Sequence, residues 1–375
     1  MLLERLEVGN FRNCRSLTLE LGPGQHVLVG DNGEGKSNLL EAVSVLGSLQ
    51  SFRTRSLDSL VAWGADAGHV AGRVVCGGAV RECAVRLQGG RRTAFLARKP
   101  VGRAMQYLQG MRVVAFSPED LFLLRDHPEE RRRLLDRGLA SVSADYGSRL
   151  LEYGQLLRQR NALLRDLGES KGPGWLDALE AWDEALARAG GYLIRRRREY
   201  VAALGDRAGR IFQRLHREGR ELALRYVPAL GSAVNGPEDP EAALGRALRA
   251  NRRLDLVRGF TGVGPHRDDV HLLVDGRPAR RSVSQGENRL LLLALRLAEA
   301  ELHRELAGEA PLLLLDDALS ELDAGHRERL MENLASCRQV IATACRSDGW
   351  SGREVSFYRV RGGTVVPETM CTAAR

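Results

Sequence analysis

The run Gly30-Asp31-Asn32-Gly33-Glu34-Gly35-Lys36-Ser37 has the residue types and spacing of a phosphate-binding loop, G-x-x-x-x-G-K-[ST]. Gly30, Gly33 and Gly35 are expected to let the backbone take dihedrals closed to other residues, so that the N–H groups of the whole run, Asp31, Asn32 and Glu34 included, curl round a chain of phosphates. Lys36 brings a mobile charge for the β and γ phosphates, and the Ser37 hydroxyl is a ligand for Mg²⁺. Lys36 is one of only three lysines, with Lys99 and Lys171; every other long cation is arginine.

Two further stretches could complete such a site. Leu312-Leu313-Leu314-Leu315 reads as a buried strand, and Asp316 at its end is placed to orient the Mg²⁺ shell. Asp317, one position on, points differently and is the candidate to polarise an attacking water. Ser284-Gln285-Gly286-Glu287 opens an apolar helix, and a serine and a glycine at a helix N-terminus make a second phosphate cradle.

The flanking pattern supplies the elements that must hold these residues. A strand at residues 25–29 precedes the loop and an amphipathic helix begins at Asn38. Alternating strands are expected at 2–8 and 17–21, with a turn at Asn13-Cys14-Arg15, and at 70–76, 80–87 and 93–96. Residues 112–116 read as a strand, ended by Ser117-Pro118-Glu119-Asp120, whose serine can cap a short helix. From about Pro128 the texture turns helical: 129–167, then 175–215 after a glycine-rich break at 168–174, then 240–250. A strand at 270–274, a helix at 326–334 and a strand at 339–343 follow, with edge strands and a loose tail at the end. The division expected is an N-terminal head segment at 1–125, a helical insertion at 126–258 and a C-terminal head segment at 259–375.

Composition narrows the class. The net charge of +8 favours an anionic partner such as nucleic acid, and aromatics at 5% do not alternate with the basic residues, which favours duplex backbone over base stacking. Cys14, Cys76, Cys83, Cys337, Cys345 and Cys371 contain no C-x-x-C pair, and the opening Met1-Leu2-Leu3-Glu4-Arg5 interrupts its apolar residues with charge; a cytoplasmic protein with reduced thiols and no membrane partner is expected. Arg195-Arg196-Arg197-Arg198 reads equally as a DNA contact or as a solvated helix. His266 and His271 lack a cysteine or glutamate to complete a metal site.

The ordered set of phosphate loop, Ser284 signature and Asp316-Asp317 resembles the ATP-binding-cassette superfamily. Asn10-Phe11-Arg12-Asn13, Ser51-Phe52-Arg53-Thr54, Phe116-Ser117-Pro118-Glu119-Asp120-Leu121, Glu130-Arg131-Arg132-Arg133-Leu134-Leu135-Asp136, Gly264-Pro265-His266-Arg267-Asp268-Asp269 and Ser320-Glu321-Leu322-Asp323 narrow the resemblance, over nearly the whole chain, to the RecF family of bacterial recombination mediators. It implies an α/β fold: a P-loop ATPase head, with a mixed sheet around a central helix and an antiparallel β subdomain, carrying an inserted helical domain. It also implies ATP and Mg²⁺ as cofactors, weak ATP hydrolysis, an ATP-dependent homodimer, DNA binding at gaps or single-strand/duplex junctions, and RecR, with RecO, as partner. By the same resemblance Ser284 and Gly286 touch the nucleotide of the second subunit, and Asp323 lies at the dimer seam. Glu287-Asn288 stands where the family usually has glutamines. Asp317 replaces the glutamate of most cassette ATPases, which predicts slow hydrolysis, and Thr343 stands where transport cassettes carry a switch histidine. A transporter cassette and a nucleotide-dependent structural clamp with incidental turnover are the competing readings.

Overall fold

The computed structural model describes residues 1–102, 104–108, 110–123, 128–169, 175–216, 219–230, 239–350 and 355–368. Lys171, Cys371 and residues 170–174 of the expected break lie outside them. The chain divides into two units: Met1–Phe122 with Arg207–Leu222 and Arg280–Arg375, and Leu123–Asp206 with Ala223–Ala279. The expected insertion at 126–258 does not coincide with this partition, because the second unit runs on to Ala279 and residues 207–222 cluster with the first.

Four consecutive leucines have no polar face, and β12 (Leu312–Leu315) is accordingly buried along its whole length. It lies in a six-stranded sheet with β3 (Gly24–Val29), β8 (Val113–Phe116), β13 (Gln339–Ala344), β14 (Val355–Arg361) and β15 (Thr364–Glu368), in the order β15-β14-β3-β13-β12-β8. All neighbouring pairs are parallel except β14–β15. The register sets Ala344 of β13 opposite Val29 of β3, and Leu315 of β12 opposite Ala342 of β13. Three strand ends therefore open at one edge, where ligands of parallel sheets bind.

The second sheet of this unit is antiparallel, in the order β2-β1-β4-β5-β6-β7. It comprises β1 (Leu2–Phe11), β2 (Cys14–Glu20), β4 (Ala67–Cys76), β5 (Ala79–Gln88), β6 (Arg91–Leu96) and β7 (Lys99–Pro100). The first turn falls on Arg12-Asn13, one residue earlier than expected, so Cys14 already pairs with Phe11. Helix α1 (Lys36–Ser48) packs against strands of both sheets and is buried nearly all round, which is why its apolar residues exceed a single stripe. The short α2 (Ala104–Leu108) anchors there through Tyr107, whose hydroxyl donates to Leu46 O at 2.7 Å. Ser117 does not cap the 3-10 turn Pro118–Phe122: its hydroxyl is buried without a partner, and Asp120 instead accepts the Ser117 N–H and pairs with Arg296 at 2.7 Å.

In the second unit, the helix expected at 129–167 is two, α3 (Pro128–Val142) and α4 (Ala144–Glu169). Ser143 lies between them and its hydroxyl accepts the Tyr146 N–H at 3.2 Å, an N-cap that starts a new helix. Helix α5 spans Trp175–Leu215 as expected, and α6 (Pro240–Arg258) continues past Ala250 until Gly259 closes it at φ 69. A small sheet, β11-β10-β9, of β9 (Leu222–Val227), β10 (Asp269–Val274) and β11 (Arg277–Pro278), accompanies the helices. The single turn α7 (Ala279–Ser282), α8 (Gln285–Ala307) and α9 (Ala324–Leu334) complete the elements. Among the described residues no helix is long and apolar enough to cross a membrane.

Within the arginine run at 195–198, Arg197 fits neither reading offered for it. Arg197 is only 2% exposed, pairs with Asp136 at 2.8 Å, and donates to Pro265 O at 2.7 Å beside Asp268. Arg195 and Arg196 pair with Asp239 and Glu199. Asp268 accepts from Tyr226 and from the Ala229 N–H, and Arg131 grips Asp269 through two bonds of 2.8 and 3.0 Å. The Gly264–Asp269 motif thus joins the buried frame of this unit. His266 belongs to it as well, bonded to Tyr153 OH at 2.7 Å and Thr261 O at 3.0 Å.

Two consequences follow for stability. Arg197→Met leaves the buried Asp268 and the half-buried Asp136 without this cation and should cost about 3–5 kcal/mol, measured by urea unfolding. Burial pushes the His266 imidazole down to about 4 from 6.5, so the folded chain disfavours its charged form. That contribution is complete above the unfolded value and is lost as pH falls from about 6.5 towards about 4; His266→Gln should flatten this part of the stability profile.

Candidate functional site

The loop that leaves β3 is shaped by its glycines in two ways. Gly33 (φ 87) and Gly35 (φ 105) take left-handed conformations, as expected. Gly30 does not; a Cβ there would sit 2.5 Å from the Val360 carbonyl oxygen, so its small size serves a close backbone approach. Lys36 folds over the loop and donates to Gly30 O at 2.6 Å and Asp31 O at 2.8 Å, acceptors that phosphate oxygens can replace. Asp31 and Asn32 are exposed, and Asn32 accepts from the Cys345 thiol at 3.2 Å.

Glu34 is held from behind. Its carboxylate accepts the Gly362 N–H at 2.5 Å, and its carbonyl accepts from Gly363 N–H at 2.9 Å and Asn13 Nδ2 at 3.1 Å. Its main-chain N–H is the group it could offer a phosphate. The β14–β15 turn is the support, a role that reading the C-terminal segment as edge strands did not reveal.

Strand order brings the metal candidates together. Ser37 Oγ donates to Asp316 Oδ1 at 2.7 Å although 279 positions separate them. Thr343, on the intervening strand β13, donates to the same oxygen at 2.7 Å and accepts the Asp317 N–H at 2.8 Å. Asp316 is 3% exposed, and burial pushes its carboxyl up against the hydrogen bonds from Thr343 and Ser37 and the charge of Arg53. A hydroxyl and a buried carboxylate on one spot suit a hard cation such as Mg²⁺, which would relieve that desolvation. Asp317 is half-buried at φ 52, and its carbonyl accepts from Arg289 Nη1 at 3.2 Å. Arg289 also donates to Ser320, so the second turn of α8 holds the loop after β12.

The contacts behind this site show in the sequence only as family-like segments. Arg12 makes two bonds, 2.9 and 2.8 Å, to Glu41 of α1, which is 0% exposed and also accepts from Ser51 at 2.5 Å. Arg53 donates to Asn38 Oδ1, and Asn38 donates to Asn13, whose side chain lies where a Cβ on Gly35 would fall. A glutamate inside an otherwise apolar helix was the available signal for Glu41.

Ser284 and Gly286 stand apart from all this. Ser284 is exposed and caps α8 in a capping box with Glu287, while nothing lies within 4 Å of a Cβ added to Gly286. Among the described residues, no hydrogen bond or ion pair joins residues 284–287 to the loop at 30–37 of the same chain. Asp323 caps α9 by accepting the His326 N–H at 2.9 Å and pairs with the His326 ring at 2.7 Å.

A phosphate loop at one strand end, with a buried aspartate two strands away, on a sheet wrapped with a second, antiparallel sheet round a central helix, defines an ATP-binding-cassette-type P-loop head carrying an inserted helical domain. A protein-family model described as RecF/RecN/SMC N terminal domain matches residues 2–362. The chain belongs to the RecF family: it is 41% identical over 376 residues to the DNA replication and repair protein RecF of Anaeromyxobacter sp. (strain K), covering 98% of this chain and 99% of that one. A structure of the recombination mediator protein RecF with ATP matches at TM-score 0.88 and 30% identity, covering 98% and 97%. An Smc head bound to the C-winged helix domain of ScpA shares the fold at TM-score 0.57 and 16% identity, covering 100% and 99%.

Thr343 is the residue whose removal tests this arrangement. Thr343→Val keeps the shape but takes a donor from Asp316 and an acceptor from the Asp317 N–H. The Mg²⁺ concentration that half-saturates nucleotide binding should rise roughly tenfold or more, while Thr343→Ser stays near the parent, as a magnesium titration would show.

Proposed function

We propose that the chain is an ATP-binding DNA repair protein whose two copies share their nucleotides, closing on DNA in the ATP-bound form and releasing it after slow hydrolysis. The observation that carries this reading is the split site. Residues of the loop, β12 and β13 converge on one oxygen of Asp316, whereas among the described residues no hydrogen bond or ion pair joins Ser284–Glu287 to them.

In the reading, Lys36 turns from the Gly30 and Asp31 carbonyls to the β and γ phosphates. Ser37 and Asp316 hold Mg²⁺, and the Gly33–Gly35 backbone surrounds the phosphates with N–H groups. Bound ATP with Mg²⁺ supplies the phosphoanhydride bond and the charge that activates it. Asp317 orients the attacking water, its backbone fixed by Thr343 and Arg289; its short side chain, one methylene less than glutamate, suits slow turnover. Ser284 and Gly286 of the second copy close the γ-phosphate from the opposite side, with Asp323 at the seam.

DNA as the partner is supported by the net charge of +8 and by the relatives, which are DNA replication and repair proteins. Gaps or single-strand/duplex junctions are the proposed target, with RecR and RecO as the proteins served, in the cytoplasm. The scarcity of aromatics favours backbone contacts, so affinity should follow counterion release.

Light scattering and binding to gapped duplex, each with and without ATP at several salt concentrations, test the reading. A nucleotide-dependent dimer is expected, with DNA affinity that rises with ATP and falls steeply with salt. No gain with ATP, or a flat salt response, would sink it. Lys36→Arg separates a pure clamp from a hydrolysis-reset cycle: a clamp keeps its function as long as ATP still binds.

A further inference from the structure

A helix N-terminus that receives phosphate is poorly served by an anion in its first turn, yet Glu287 occupies the third position of α8. Both of its carboxylate oxygens are engaged. Oε2 accepts the Ser284 N–H at 2.8 Å, the return half of the capping box. Oε1 meets the Arg220 guanidinium and lies 3.4 Å from His216 Nε2. Arg220 also donates to Ser282 O at 3.1 Å, so one side chain holds the backbone before Ser284 and the carboxylate after it. Burial would raise the Glu287 carboxyl, but the Ser284 N–H and Arg220 outweigh it and hold the group below its ordinary range, hence charged.

The cap consumes half of the donors at this end of the helix. Ser284 N–H goes to Glu287 Oε2 at 2.8 Å and Glu287 N–H to Ser284 Oγ at 3.3 Å. Among the described residues the Gln285 and Gly286 N–H groups remain for an incoming anion, with open space beside Gly286. Such an anion comes within one helical turn of a carboxylate that, among the described residues, Arg220 pairs with.

We propose that Arg220 is a positioning residue for the γ-phosphate of the second copy: it neutralises Glu287 and fixes the Ser282–Glu287 backbone, keeping the α8 N-terminus receptive to an anion. The proposal rests on the shared-site reading given above. It also explains how this chain carries an acidic residue in its signature segment without losing the site.

The test compares the parent with Arg220→Ala, Arg220→Lys and the double variant Arg220→Ala/Glu287→Gln. Dimerisation is measured by light scattering with a non-hydrolysable ATP analogue, and ATP binding at protein concentrations where the parent is monomeric. Arg220→Ala should weaken dimerisation roughly tenfold or more through the uncompensated like charge, with ATP binding by single protomers unchanged. Arg220→Lys should retain most of it. Adding Glu287→Gln, which keeps the capping box and removes the charge, should restore dimerisation; a merely structural role for Arg220 predicts no such rescue. If the parent dimerises and Arg220→Ala matches it, or the double variant is no better than Arg220→Ala, the proposal is overturned alone. If the parent stays monomeric with ATP, the shared-site reading falls and the proposal with it.

Discussion

One oxygen of Asp316 organises the nucleotide end of the molecule. It accepts from Ser37, which begins α1, and from Thr343, which lies inside β13, while Asp316 itself follows β12. A carboxylate buried to 3% exposure cannot be left unpaired, since the desolvation of a bare charge exceeds what any one hydrogen bond returns. Three segments far apart in sequence are therefore obliged to meet. The parallel register of β3, β13 and β12 is what lets them, and α1 buried between two sheets fixes where the loop must turn.

The elements around that oxygen constrain one another. Thr343 couples Asp316 to the Asp317 backbone, and Arg289 couples the Asp317 carbonyl to the second turn of α8. The residue proposed to orient water is thus tied on one side to the proposed cation site and on the other to the helix whose tip is proposed to serve a second copy. Glu34 ties the loop to the β14–β15 turn, so the phosphate cradle is gripped from the sheet edge as well.

Local patterns were legible in the sequence. The loop spacing, the four leucines of β12 and the bounds of α5 all depend on neighbouring residues, and the sequence displays those directly. The family segments added order along the chain. What could not be read depends on distant partners. Arg197 looked like surface because its acids, Asp136 and Asp268, lie 61 and 71 positions away. Thr343 registered only as a missing histidine, since its role appears once β13 is placed between β3 and β12. The break at Ser143 carried a local signal, an N-cap serine, masked by strong helix formers on both sides. Gly30 was assigned a dihedral role when the Val360 carbonyl, 330 residues on, dictates a steric one.

The central claim is that each nucleotide lies between a phosphate loop of one copy and a Ser284 cradle of the other. Mixing two inactive variants tests it most directly: Lys36→Ala, which disables the loop, and Ser284→Arg, which blocks the cradle. A mixed dimer holds one site with both defects and one with neither. The account predicts that ATP hydrolysis, absent from each variant alone, reappears on mixing. Silence in the mixture, with mixed dimers confirmed to form, would place both halves of the site in one chain and contradict it.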